Sequence, residues 1–138
     1  MIEFSYQTNF TLEKSKEVAA WISEIIISEG YVEGEISFVF CDDEYLFKLN
    51  KEFLEHDTLT DIISFDYSLG KELHGEIYIS IDRVRENAVN FEVSFDNELH
   101  RVIIHGILHY CGYKDKTEID ASIMRKKEDE ALLTRRFC

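Results

Sequence analysis

A chain of 138 residues with 45% hydrophobic and 13% aromatic content is long enough to bury a real core and short enough to form one domain, residues 1–138. No stretch approaches the roughly 18 apolar residues of a membrane span, so no spanning segment and no membrane partner are expected. A net charge of −13 argues against broad, non-specific nucleic-acid binding, but residues 1–69 carry four basic against fifteen acidic side chains, so the second half is left near neutral and can form a local basic surface.

Residues 2–6 alternate and predict a strand. A helix is expected from Thr11 to about Glu29, with Val18, Trp21, Ile22, Ile25 and Ile26 on its apolar side and Gly30 at its end. Residues 35–41 predict a second strand. Asp42, Asp43 and Glu44 favour a helix N-terminus, because carboxylates offset the positive end of the helix dipole. That helix would use Tyr45, Leu46, Leu49 and Phe53. Residues 60–65 and 75–80 predict two more strands, joined by a hairpin-like loop containing Gly70. Asp82 is the expected cap of a helix to Asn90, and Asp96 that of the next helix, which runs to Cys111 and stops at Gly112. This helix is apolar nearly all round, as a helix covered on several sides must be. Thr117 opens a capping-box-like start to a final helix ending near Leu133. The order β-α-β-α-β-β-α-α-α predicts an α+β fold, a mixed four-stranded sheet packed on a central buried helix.

Cys41, Cys111 and Cys138 are widely spaced and lack a CxxC pair, and the N-terminus has neither a basic region nor an apolar run. Reduced thiols and a cytoplasmic location are the expectation.

His105 and His109 lie four residues apart on the apolar helix, so both imidazoles share one face. Gly112 can take the left-handed conformation that ends a helix, and the chain can then bring Asp115 back to face them. Two histidines and a carboxylate with water in the fourth position make a catalytic zinc set. One divalent metal ion, zinc by preference, is therefore expected on His105, His109 and Asp115. The alternatives are two satisfied core histidines, and an Asp115 that caps the final helix in competition with Thr117. Gly106 follows His105, where the H-E-x-x-H metallopeptidases carry their glutamate base. This counts against a zinc peptidase.

Several blocks together carry a family resemblance. Leu49-Asn50 is followed by Thr60-Asp61-Ile62-Ile63-Ser64-Phe65, then Gly75-Glu76-Ile77, then His105-Gly106-Ile107-Leu108-His109-Tyr110-Cys111-Gly112-Tyr113, and finally Met124, Glu128 and Leu132. In this order they resemble the YbeY-type endoribonucleases, rRNA maturation factors of bacteria, over roughly residues 36–133. The resemblance implies a zincin-like fold and metal-dependent cleavage of single-stranded RNA. It also implies work on small-subunit ribosomal RNA and ribosome quality control, with small-subunit ribosomal proteins and a ribosome-associated GTPase as partners. The chain departs from the family where Asp115 stands for its third liganding histidine, Leu54 for an arginine important in RNA cleavage, and Leu59 for a proline. Lys51 or a base of the second half, such as Arg101, could stand in as a substrate contact. Ser64 could contact substrate near the metal, Glu76 could line a groove beside it, and Glu128 could hold a liganding imidazole by its second nitrogen. Cys111, His56, His74 and His100 are expected to be structural or superficial. A metal-binding RNA or ribosome module without turnover is the competing function.

Overall fold

The computed structural model describes residues 1–54 and 59–138; His56 lies outside the described residues. The elements follow the expected order: β1 (Ile2–Tyr6), α1 (Ser15–Ser28), β2 (Val32–Cys41), α2 (Asp43–Leu54), β3 (Ile62–Asp66), β4 (Glu72–Ser80), α3 (Ile81–Asn90), α4 (Phe95–Tyr110) and α5 (Glu118–Leu133). The strands form one mixed sheet in the order β1-β2-β4-β3. β1, β2 and β4 run parallel, and β3 pairs antiparallel with β4 at the edge.

Strand alternation sorts the sheet into two faces. Ile36, Phe38, Phe40, Ile77 and Ile79 face the large core, together with Val18, Ile22 and Ile26 of α1 and Leu99, Ile103 and Ile107 of α4. Cys41 and Ile63 face the other way and pack with Leu46 of α2 in a smaller cluster. Helix α4 touches α1, α3 and α5 as well as β3 and β4.

The helix starts differ from expectation for local reasons. α1 begins at Ser15 rather than Thr11, because Leu12 is buried and Phe10 packs on Phe40 and Phe95. Anchored side chains hold residues 10–12 off the helical path, and Lys14 then turns through φ 54°. Ser80 and Ser94 cap α3 and α4, accepting from Arg83 N at 3.3 Å and Asn97 N at 3.0 Å, in place of Asp82 and Asp96. Those aspartates fall in the first turns, where they still complement the dipole. The Asp82 carboxylate accepts instead from Asp43 N, at the start of α2.

His100 is 5% exposed, edge-on to Trp21 and Phe137, and its Nδ1 accepts from Arg135 Nη1 at 2.8 Å. Burial, reinforced by the Arg135 charge, lowers its pKa to about 4. The unfolded chain, with a histidine pKa near 6.5, binds the extra proton first. Stability should therefore fall as pH drops from about 6.5 to about 4, by about 3 kcal/mol for this group. Urea midpoints followed by Trp21 fluorescence should show the loss, and His100→Gln should flatten that part of the profile. An unchanged profile in the variant would rule His100 out as its source. His74 is also structural, accepting from Glu35 N at 3.1 Å and lying 2.6 Å from Glu72.

Candidate metal centre

Helix α4 is not apolar all round. Glu98, Arg101, His105 and His109 follow at i, i+3, i+7 and i+11, a polar stripe along one side. Beyond the stripe, Gly112 at φ 96° ends the helix, with Gly112 N donating to His109 O at 3.0 Å and Tyr113 N to Leu108 O at 3.1 Å. This paired closure is the Schellman motif. It turns the chain back and delivers Asp115 to the two histidines. Thr117 caps α5, its hydroxyl accepting from Asp120 N at 3.0 Å, so Asp115 is not the cap.

His105 Nε2 lies 3.1 Å from His109 Nε2 and 3.1 Å from Asp115 Oδ2, and the third side, His109 Nε2 to Asp115 Oδ2, is 3.2 Å. These three atoms could hold a metal ion. The triangle is small and even enough for one point to lie about 2 Å from all three, the length of a bond from zinc to nitrogen or oxygen. One proton can serve only one pair of these atoms, whereas one cation serves all three.

Behind His105, its Nδ1 lies 2.6 Å from Glu128 Oε2, and the other Glu128 oxygen accepts from Arg101 Nη1 at 2.9 Å. With the proton on Nδ1, the Nε2 lone pair faces Asp115 and His109. Burial works against a charge on His105, but the hydrogen bond and charge of Glu128, then Asp115 and Asp61, prevail and raise its pKa. On the Nε2 side, the carboxylate of Asp115 supplies negative charge that favours a cation between the two imidazoles.

A groove of about 320 Å³ opens beside His105 and Asp115, with Asp61, Glu98, Arg101 and Arg125 among its walls. Asp61 belongs to the sequence block at residues 60–65, which assigns it no role, and Glu98 belongs to none of the blocks. Burial raises both carboxyl pKa values, with the His105 charge pulling the first down and Asp61 pushing the second up. The missed signal was the i, i+7 spacing of Glu98 and His105.

The remaining candidates scatter. Arg101 sits at the groove, but both arms of its guanidinium are occupied, by Glu128 at 2.9 Å and Asp129 at 2.7 Å. Ser64 is exposed on the edge strand, on the sheet face that carries Ile62; among the described residues no hydrogen bond joins it to the triad. Glu76 pairs with Phe65, and alternation from buried Ile77 turns it to the α2 face. It does not line the groove beside His105 and Asp115, which lies on the α4 face. Lys51 is exposed on α2, on that same far side. Cys111 is buried.

Gly106 has a packing reason. A Cβ there would come within 3.1 Å of the Ile62 and Ile77 side chains, so α4 lies directly on the sheet. A glutamate at this position would be driven into apolar core, which removes the peptidase base on steric as well as chemical grounds.

The family model described as Endoribonuclease YbeY matches residues 2–135. Among similar proteins, the Endoribonuclease YbeY of Flavobacterium psychrophilum is 58% identical over 132 residues, 96% of this chain and 94% of that protein. That of Flavobacterium johnsoniae is also 58% identical, over 96% of this chain and 95% of its own. The solution structure of TM1509 from Thermotoga maritima superposes with a TM-score of 0.68 at 28% identity, covering 96% of this chain and 87% of the other.

Proposed function

The chain belongs to the YbeY endoribonuclease family, and on that premise we propose that it hydrolyses phosphodiester bonds of single-stranded RNA at the His105, His109 and Asp115 centre. The observation that carries this reading is the even 3.1–3.2 Å triangle of two imidazole nitrogens and a carboxylate oxygen at the wall of an open groove. The RNA is small-subunit ribosomal RNA, and the setting is its maturation and ribosome quality control in the cytoplasm. Small-subunit ribosomal proteins and a ribosome-associated GTPase are the partners. Among the described residues no helix is long and apolar enough to cross a membrane.

The whole chain acts as one hydrolase domain of zincin-like architecture, with α4 as its central helix. Zinc is the preferred ion, since two imidazoles and one carboxylate with an open position match its habits. When bound, such an ion supplies Lewis acidity and lowers the pKa of its water to about 7. The protein's own part is positional. His105, His109 and Asp115 present three lone pairs to one point. Glu128 keeps the His105 proton on Nδ1, and Arg101 holds Glu128 in place. Ser64, exposed on the α4 side of the edge strand, is open to a substrate approaching from there.

Wild type and His109→Ala, prepared and metal-loaded identically, should differ completely on a labelled single-stranded RNA: the first cleaves it and the second does not. Equal cleavage by both would mark a contaminating nuclease and remove the enzymatic reading. Binding without cleavage would favour a metal-holding RNA module.

A further inference from the structure

We propose that Arg125, on α5, is the guanidinium that takes an RNA phosphate beside the triad, an assignment that rests on the RNA-cleavage reading above. The groove is unfriendly to an anion as it stands. Asp61, Glu98, Asp115 and Glu128 all line it, and a single divalent ion offsets only part of four carboxylates. A phosphodiester entering it needs a cation free to turn toward it.

Among the described residues only two cationic side chains line that groove, Arg101 and Arg125. Arg101 is a strut: its side chain is 17% exposed, and each arm already donates to a carboxylate. Turning it to substrate would strip two charge-assisted bonds and free the carboxylate that holds His105. Arg125 is the opposite case. Its side chain is 59% exposed, and the Glu128 oxygen, its ion-pair partner, is 3.7 Å away, beyond hydrogen-bond range. That oxygen already accepts from Arg101.

Position adds to availability. Arg125 sits one helical turn before Glu128, which touches His105, so its side chain starts on the helix face that reaches the triad. It lines both openings that contain His105 and Asp115, the groove described above and a shallower one with Ala121, Ser122 and Met124. It therefore borders both openings beside His105 and Asp115, where its planar fork can meet two phosphate oxygens of a strand crossing the triad. Lys114 and Lys116 flank Asp115 in sequence but line neither opening.

The test compares wild type, Arg125→Ala and Arg125→Lys, all metal-loaded, on a short labelled oligouridylate. Turnover gives kcat and KM, and fluorescence anisotropy gives binding, each over a series of salt concentrations. Arg136→Ala is the charge control, since that side chain is 83% exposed and only loosely paired with Glu24. Arg125→Ala should raise KM about tenfold, the lower bound for losing hydrogen bonds to a charged group. The change in kcat should be smaller, and the log–log salt slope should become shallower by about 0.7. Arg125→Lys should recover part of the loss, Arg136→Ala should match wild type, and metal content and urea midpoint should stay level throughout. A wild type that cleaves RNA beside an Arg125→Ala variant with the same KM and salt slope would overturn the proposal. Binding that depends on Arg125 without turnover by wild type would keep the phosphate contact and sink the enzymatic reading. No binding at all would sink both.

Discussion

His105→Ala is expected to purify without metal and to show no RNA cleavage, while the wild type carries close to one transition-metal ion per chain. His105 is the hinge of the centre, because its Nε2 faces both His109 and Asp115 and its Nδ1 is gripped by Glu128. Its loss removes one corner of the proposed ligand set and the only described link from the triad to the α5 carboxylate. Asp115→Ala should weaken metal binding strongly without a comparable loss of stability, since Asp115 caps no helix. Thr117→Ala should do the reverse. It removes the hydroxyl that accepts from Asp120 N, which costs about 1 kcal/mol of stability, and it should leave metal content unchanged. Asp115→His should keep the ion, because a third imidazole is an equally good donor. Elemental analysis and a competing chelator read all four variants beside the wild type. Full metal content in His105→Ala, or unchanged affinity in Asp115→Ala, would remove the proposed ligand set.

Much of this centre could be read from the chain because its parts are close in sequence. His105, His109, Gly112 and Asp115 span eleven residues, and helix periodicity plus one left-handed glycine are enough to bring them together. The wider surroundings needed pairing information that no local pattern contains. Glu76 looked like a groove residue because it alternates with apolar neighbours, but only the register of β4 with β3 shows which sheet face it takes. Arg101 looked like a free cation because its two acceptors are more than twenty residues away, on α5. Asp82 has the sequence marks of a cap for its own helix, whereas its carboxylate serves the neighbouring helix α2, 39 residues away in the chain. The α4 helix was legible as buried from its many aliphatic residues. Its one polar stripe was hidden because Glu98 and Arg101, taken singly, look like ordinary surface charges.

Glu128 is where stability and function meet, and its substitution should separate them. It is 5% exposed and serves two partners at once, His105 at 2.6 Å and Arg101 at 2.9 Å. Burial works against its charge, but the hydrogen bonds and charges of His105 and Arg101 outweigh burial and leave its pKa below the ordinary carboxyl range. Removing the carboxylate altogether leaves Arg101 with Asp129 alone and opens a void under α4. Glu128→Ala should therefore cost about 3 kcal/mol in urea unfolding, the low end for breaking a buried pair, because Asp129 still compensates part of the arginine charge. Glu128→Gln keeps the volume and one acceptor oxygen, so its loss of stability should be smaller. Its metal affinity should still fall by about 10- to 100-fold, because the single amide oxygen can serve His105 or Arg101 but not both, and a neutral group no longer enriches His105 Nε2. RNA cleavage at limiting metal should fall with affinity and return when metal is raised, which a general folding defect would not do. A Glu128→Gln protein with wild-type metal affinity would show that the carboxylate only braces α4 against α5, and that the imidazole is oriented by its packing alone.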